Sequence, residues 1–511
     1  MRAHLLFTNA DFALLDHPDD NQHDRFADLE LGALVHAMAA DDAFLAETAT
    51  AALHQPLTDA EQIRHRQQAL TDALSNPDAI RAFYALPVQA LAEAKRIYSW
   101  GLSSPTGMVH HGTQLMEVYI RYLRSLRLLA DENAPTFQSP AFTTLFQMLQ
   151  AELTDEYFEE IDEHLAQLRF RHGVLSSAHL GEANTATKIT LRRPSGKRIP
   201  LLQRLGFTHP AHTMTIPDRD EAGFSALHEL QDRGVDLVAN ALIQSTDHIK
   251  SFLTMLQREL AFYLGAINLH DALTAHGEPT AIPTLTETHG FTSDELYDVA
   301  LVLISGRPAV GYTIDAPQTP LVVITGANRG GKSTFLRSLG QAQLLTQCGL
   351  FAPAAAFSTG VRTGILTHFK REEDKQLVSG KLDEELSRMS RVVDAVAPGA
   401  MVLFNESFAS TNEREGSEIA RHVVHAFRDC DVTVAFVTHL FDFAHRLREE
   451  NRDDILFLRA HRGEHGGRDF TLAEGEPLST SFGWDVYRRV FGEQEDPQPA
   501  ERMSLTAFEE P

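Results

Sequence analysis

Cysteine is nearly absent: Cys348 and Cys430 are the two cysteines in 511 residues. They can form at most one disulfide, and they cannot supply a disulfide framework or a four-cysteine zinc site. A reducing cytoplasm is the expected setting. Long apolar runs are lacking too. The longest, such as 299–304, fall far short of the roughly 20 residues that cross a bilayer, and the first 20 residues hold no apolar stretch of signal-peptide length. No membrane partner is expected. Positive charge is also scarce, with 45 Lys plus Arg against 70 Asp plus Glu and a formal net charge of −25. A coat over nucleic acid by the whole surface is thereby excluded, because phosphate binding runs on Lys and Arg displacing counterions. DNA contact must come from a segment whose charge departs from the average.

Against these absences stand 43% hydrophobic and 23% charged residues, the composition of a folded chain rather than a disordered or fibrous one. At roughly 100–200 residues per domain, the length predicts about three or four domains.

Residues 1–180 read as helical, rich in Ala and Leu, with apolar residues at three- and four-residue spacings such as Leu29, Leu31, Leu34, Val35 and Met38. Breaks fall at His17-Pro18, Gln55-Pro56, Asn76-Pro77 and Ser103-Ser104-Pro105. Residues 181–224 differ in kind. TKITLRRPSGKRIPLL alternates apolar and polar positions about a Pro194-Ser195-Gly196 turn, which predicts a β-hairpin. From Ala183 to Pro217 there are six basic residues and no acidic one. Lys188, Arg192, Arg193, Lys197 and Arg198 are therefore candidate contacts to DNA phosphates, with a solvated hairpin of scattered charge as the alternative. Residues 225–290 return as one long helix or two stacked ones, with a stripe of Leu237, Leu242, Ile249, Phe252, Leu253, Leu256 and Leu260, and then a linker over 274–290. Residues 291–492 carry short apolar runs at 321–325, 401–404, 432–438 and 455–460, the texture of buried parallel strands and so of an α/β domain. The acidic tail 493–511 reads as disordered.

The strongest signal is Gly326-Ala327-Asn328-Arg329-Gly330-Gly331-Lys332-Ser333, followed by Thr334, directly after the run LVVIT and before a helical stretch. Glycines let backbone N–H groups curl round phosphates, Lys332 reaches the outer phosphates, and Ser333 ligates Mg²⁺, which makes ATP with Mg²⁺ the expected ligand. Asn405 ends the run at 401–404 where an acidic metal partner is expected, and Glu406 follows it, placed to polarise an attacking water. His439, after the run at 432–438, is the candidate sensor of the terminal phosphate. The plainer alternatives are a surface Glu capping a strand and a structural His.

The segment Thr325–Thr334, TGANRGGKST, resembles the phosphate loop of the MutS family of DNA mismatch-repair ATPases, relatives of ABC-type ATPases. ILTHF at 365–369, Ser379-Gly380, Glu406, Thr411, Gly416, Thr438-His439 and SFGWDV at 481–486 fall in the family's order. PLTDAEQIRHRQQAL at 56–70 is similar to the opening of its helical core. The resemblance implies an N-terminal helical lever with a small β-hairpin clamp, a C-terminal P-loop ATPase domain on a mostly parallel sheet, a homodimer with composite nucleotide sites, and DNA as partner. It departs from the family in four ways: no mismatch-reading wedge, no connector domain, Asn405 for the metal-binding Asp, and SGKLDEELS at 379–387 for the segment acting in trans, where Leu382 replaces the expected serine. Ser379 is the conjectured substitute. The function implied is an ATPase coupled to backbone-reading, structure-specific DNA binding. The alternative is a weakly hydrolysing nucleotide switch that engages a protein.

Overall fold

The computed structural model describes residues 1–14, 17–97, 104–170, 173–182, 186–192, 215–217, 219–327, 330–371, 380–461 and 469–477. They form two compact units. One joins Met1–Asp16, Val35–Ala272 and Cys348–Leu350; the other joins His17–Leu34, Leu273–Gln347 and the chain from Phe351 onward.

The starts of helices in the first half follow from its punctuation. Asp19 caps α1 (Asp20–Asp28) in a reciprocal box with Gln22; Leu29 closes that helix, and Leu31, Leu34, Val35 and Met38 lie along α2 (Leu31–Ala39). Asp42 and Asp59 cap α3 (Ala43–His54) and α4 (Ala60–Ser75). Pro77 opens α5 (Pro77–Ala94), and Ser104 with Pro105 opens α6 (Pro105–Asn133). Ser139 caps α7 (Pro140–Glu152) and Thr154 caps α8 (Asp155–Leu168). Phe83, Phe137, Phe142, Phe146 and Tyr263 cluster in the core of the first unit, with the Phe83 and Phe146 rings 5.2 Å apart. The N-terminal segment is threaded into this bundle. Leu5 N donates to the buried Glu259 carboxylate at 2.6 Å, Tyr263 Oη donates to Leu5 O at 2.9 Å, and Arg66 Nε donates to Leu6 O at 3.0 Å.

An antiparallel pair that the sequence did not announce precedes the expected turn. Strand β2 (Ala186–Leu191) pairs antiparallel with an upstream strand, β1 (Ser176–Leu180), while the anticipated turn at 194–196 lies outside the described residues. The return is a single helix of 55 residues, α9 (Glu221–Ala275), about 80 Å long at 1.5 Å per residue. Leu242, Ile249, Phe252, Leu253, Leu256 and Leu260 are buried along it, but Leu237 is 77% exposed, and Val235 and Ala239 take the inner face instead.

In the second unit the stretch expected as a linker already carries β3 (Thr284–Thr286). Then come β4 (Phe291–Leu296), α10 (Val299–Ser305), β5 (Tyr312–Ala316), β6 (Leu321–Thr325), α11 (Lys332–Gln347), β7 (Ala356–Gly360), β8 (Ile365–Phe369), α12 (Lys381–Ala395), β9 (Met401–Asn405), α13 (Glu413–Asp429), β10 (Thr433–Val437), α14 (Phe441–Glu449), β11 (Ile455–Ala460) and β12 (Leu472–Glu474). A six-stranded sheet runs β12-β11-β6-β10-β9-β8, parallel except for β12. A second sheet runs β3-β7-β4-β5. The four apolar runs singled out in the sequence are thus β6, β9, β10 and β11, neighbours in one sheet. Burial on both faces explains their continuity: Val323, Val402, Phe404, Val434 and Phe436 are all within 0% exposure, and the Phe404 and Phe436 rings stack at 4.8 Å. Helix α1 lies on the β8 side, where Arg25 donates to Ile365 O at 3.2 Å and Asp24 pairs with Arg371, Arg388 and Arg391.

Candidate functional site

A nucleotide site at the end of β6 needs a loop that no ordinary side chain can crowd. Gly326 and Gly331 adopt φ of +112° and +90°, open to glycine at little cost. A Cβ on Gly330 would stand 2.7 Å from the Ala460 side chain and 2.9 Å from Ala327 O, and one on Gly331 would stand 2.8 Å from Phe470 O. The loop is therefore a cradle sized for bare backbone. Lys332 is the first residue of α11 and is buried, its Nζ donating to Gly326 O at 3.0 Å and Ala327 O at 2.9 Å. Ala327 is buried, Thr334 half-buried and Ser333 exposed. Tyr312, which the sequence reading passed over, donates its hydroxyl to Gly331 O at 3.1 Å. Asn328 and Arg329 lie outside the described residues.

Parallel pairing brings the remaining candidates to the same end of the sheet. In register, Val437 of β10 faces Asn405 of β9, and Val437 also faces Ile324 of β6. Beyond the strands, Glu406 N donates to Val437 O at 2.8 Å and Thr438 N donates to Ile324 O at 3.0 Å. Ser333 Oγ donates to Asn405 Oδ1 at 2.9 Å. His439 Nε2 donates to Glu406 Oε1, also at 2.9 Å. That hydrogen bond, helped by the charges of Lys332 and Lys370 and opposed by burial, holds the Glu406 carboxyl below its ordinary range and so ionised at neutral pH. Glu406 itself stands at φ +54°, a left-handed conformation costing a non-glycine residue roughly 1–2 kcal/mol.

The donors fit Mg²⁺ bound sparingly. A hydroxyl and an amide oxygen are hard ligands, and Mg²⁺ keeps most of its water when one or two protein groups and a phosphate hold it. Among the described residues no group of three or more His, Cys, Asp or Glu side chains could hold a metal by itself.

Lys188 and Arg192 belong to the other unit. Both are exposed on the β1–β2 pair, and Arg192 Nε donates to Ser177 Oγ at 2.7 Å. Arg193, Lys197 and Arg198 lie outside the described residues, as does Ser379. Three residues next to Glu406 escaped the sequence reading: His368, Glu385 and Ser407, a buried hydrogen-bonded set. His368 and Glu385 fall within ILTHF and SGKLDEELS, but neither segment singles them out; only the fold assembles them with Ser407.

Among the described residues no helix is long and apolar enough to cross a membrane. Two family models match the chain: the MutS2 N-terminal domain over residues 58–276 and MutS domain V over 322–488. The DNA mismatch repair protein MutS of Synechococcus sp. strain JA-2-3B'a(2-13) is 21% identical over 485 residues, which is 82% of this chain and 52% of that protein. MutS of Caldanaerobacter subterraneus subsp. tengcongensis is 26% identical over 197 residues, 34% of this chain and 22% of the relative. Endonuclease MutS2 of Lacticaseibacillus casei strain BL23 is 29% identical over 216 residues, 39% of this chain and 27% of the relative. The chain spans about half or less of the length of these curated relatives. With both halves matched in order and the glycine-rich loop, Glu406 and His439 meeting at one end of the sheet, the chain belongs to the MutS family.

Proposed function

We propose that this protein binds ATP with Mg²⁺ and hydrolyses it, and that it couples the cycle to DNA as a homodimer. The observation that carries the reading is the pair of hydrogen bonds, Ser333 to Asn405 and His439 to Glu406, beside a loop whose glycines admit only backbone. Backbone N–H groups of the loop and the amino end of α11 would receive the phosphates, and Lys332 would exchange its two carbonyl partners for their oxygens. Ser333 and Asn405 would hold Mg²⁺, which when bound neutralises charge on the outer phosphates. Glu406, ionised and tethered by His439, would orient and polarise the water for in-line attack, with His439 also sensing the terminal phosphate.

The names of the relatives point to DNA repair, and exposed Lys188 and Arg192 give the first unit a local positive sign in a chain of net charge −25. Binding through the DNA backbone to a bent or branched form follows from contacts of that kind. Nuclease activity, after which the MutS2 relatives are named, is not assigned, because the shared stretch is 27% of their length. One observation favours the second reading, a slow switch that engages a protein: Asn405 brings no negative charge to the metal.

Steady-state ATP hydrolysis at low salt, with and without duplex and branched DNA and with Glu406→Gln as control, tests both. Turnover raised by DNA supports the first reading. Turnover indifferent to every DNA offered favours the switch, and hydrolysis that survives Lys332→Ala would show the site to be elsewhere.

A further inference from the structure

We propose that Glu385 is a positioning residue for hydrolysis: its carboxylate, reaching from α12, fixes the backbone turn that aims Glu406. The inference rests on the reading of Glu406 as the group that orients water.

The turn cannot hold itself. Glu406 at φ +54° and Phe408 at φ +63° flank Ser407, and neither is glycine, so two left-handed residues persist only where their surroundings impose them. Three contacts do so. Phe408 N donates to Glu385 Oε1. The Ser407 hydroxyl oxygen lies 2.7 Å from His368 Nδ1 and 2.6 Å from His368 O. The single Ser407 hydroxyl proton goes to His368 O, and His368 Nε2 is 3.1 Å from Glu385 O; since a carbonyl can only accept, Nε2 carries a ring proton and donates to it. Burial keeps this imidazole below its usual range, which suits the neutral form. The ring also stacks on Phe408 at 5.7 Å and 21°. From the far side α13 closes the turn, where a Cβ on Gly416 would come within 2.4 Å of Phe408 O.

Glu385 is an expensive way to hold one amide. It is 7% exposed, and its Oε2 has no hydrogen-bond partner among the described residues. An apolar side chain would pack on the same face of α12 beside Met389 and Val392 without that desolvation cost. What a carboxylate adds is a strong, directed acceptor for an amide in a strained turn. Arg388, one turn on, donates to Phe369 O at 2.8 Å and pairs with Asp24 at 3.5 Å, which seats the helix that carries Glu385. Displacing α12 therefore displaces the Phe408 amide and, two residues back, Glu406.

The test compares Glu385→Ala with Glu385→Gln in the full chain, reading ATP turnover at saturating nucleotide, affinity for a fluorescent ATP analogue, and amide exchange over residues 404–410. Glu385→Ala should lower kcat roughly ten- to a hundredfold, the scale of a small misplacement of a catalytic group. Affinity should stay within about twofold, while exchange rises over 406–410 and not in β6 or β10. Glu385→Gln keeps the Oε1 acceptor and should restore turnover. In a Glu406→Gln background, Glu385→Ala should cost nothing further. Ser407→Ala, a milder change, should move kcat in the same direction and serves if Glu385→Ala does not fold. Unchanged turnover in both variants, additive losses with Glu406→Gln, or loss of exchange protection across the whole sheet would overturn the inference alone. A wild-type chain that binds nucleotide but shows no turnover would overturn the hydrolysis reading itself.

Discussion

A carboxylate that orients water has to stay ionised and stay aimed, and at Glu406, for which we propose that role, one hydrogen bond serves the first need. The His439 contact at 2.9 Å is the largest influence holding its carboxyl down, with burial working against it. A lowered value means the base is charged throughout the neutral range, so the acid limb of turnover should lie below the ordinary glutamate value of 4.5. In His439→Ala burial acts with less opposition, and the limb should shift to higher pH; a kcat profile from pH 4 to 8 checks it, and an unmoved limb would mean that another group sets it. Glu406→Gln should cost roughly 10²–10⁴ in kcat while nucleotide affinity is retained, since the amide keeps the size and loses the charge. Asn405→Asp retains the oxygen that accepts from Ser333 and adds the missing charge. Turnover should rise and half-saturate at lower Mg²⁺; a fall in a Mg²⁺ titration would show that the neutral amide is matched to its surroundings. That Lys332, Ser333, Asn405, Glu406 and His439 share one end of the sheet was legible in the sequence because each sits at a fixed offset from an apolar strand. Glu385 was not, because within Asp383-Glu384-Glu385 nothing distinguishes the inward carboxylate from two solvated ones; only helix phase against β8 selects it.

At the scale of elements, what was legible was whatever packs on both sides. Strands β6, β9, β10 and β11 are continuous apolar runs because helices cover both faces of the sheet, and the helix starts were marked by Asp, Ser and Pro caps. Strand β1, with the sequence SSAHL and four of its five residues exposed, has no alternation to read, so the upstream partner of β2 was not anticipated, while the expected downstream strand lies outside the described residues. Leu237 shows the complementary failure: apolar spacing continues along the long helix α9 where nothing covers it. The same helix carries a titration. Burial raises the Glu259 carboxyl from 4.5 to about 7, against the backbone N–H groups that favour its charged form. Below pH 4.5 it is protonated both folded and unfolded. Between 4.5 and 7 the unfolded chain gives up its proton first, so stability falls with rising pH, by about 3 kcal/mol across that window. Above 7 both states are ionised and the slope ends. Glu259→Gln stays neutral, and the difference in urea-unfolding stability between pH 5 and pH 8 should shrink by about that amount; an unchanged difference would assign the slope to other groups.

Over the whole molecule, the charge of −25 and the proposed DNA partner pull the functional reading in different directions. An acidic chain that grips DNA must do so through a few cations against a repulsive background, so its affinity should be unusually dependent on salt for the number of contacts made. The candidates are few enough to count: Lys188 and Arg192 on the β1–β2 pair, and Arg193, Lys197 and Arg198 in the basic stretch that follows. Each phosphate neutralised releases counterions and contributes about −0.9 to the slope of log affinity against log salt. Replacing all five with Ala should therefore flatten that slope by about 4.5 and weaken duplexes of every sequence alike, because backbone contacts carry no base information. Fluorescence anisotropy of a labelled duplex between 25 and 200 mM salt, roughly the range where such contacts weaken, reads both quantities. A flattened slope with uniform loss would identify the hairpin as the DNA-contacting element. A slope that is the same in both proteins would move the DNA contact away from the hairpin, and a wild-type chain that fails to bind at 25 mM would leave a protein partner as the target of the nucleotide cycle.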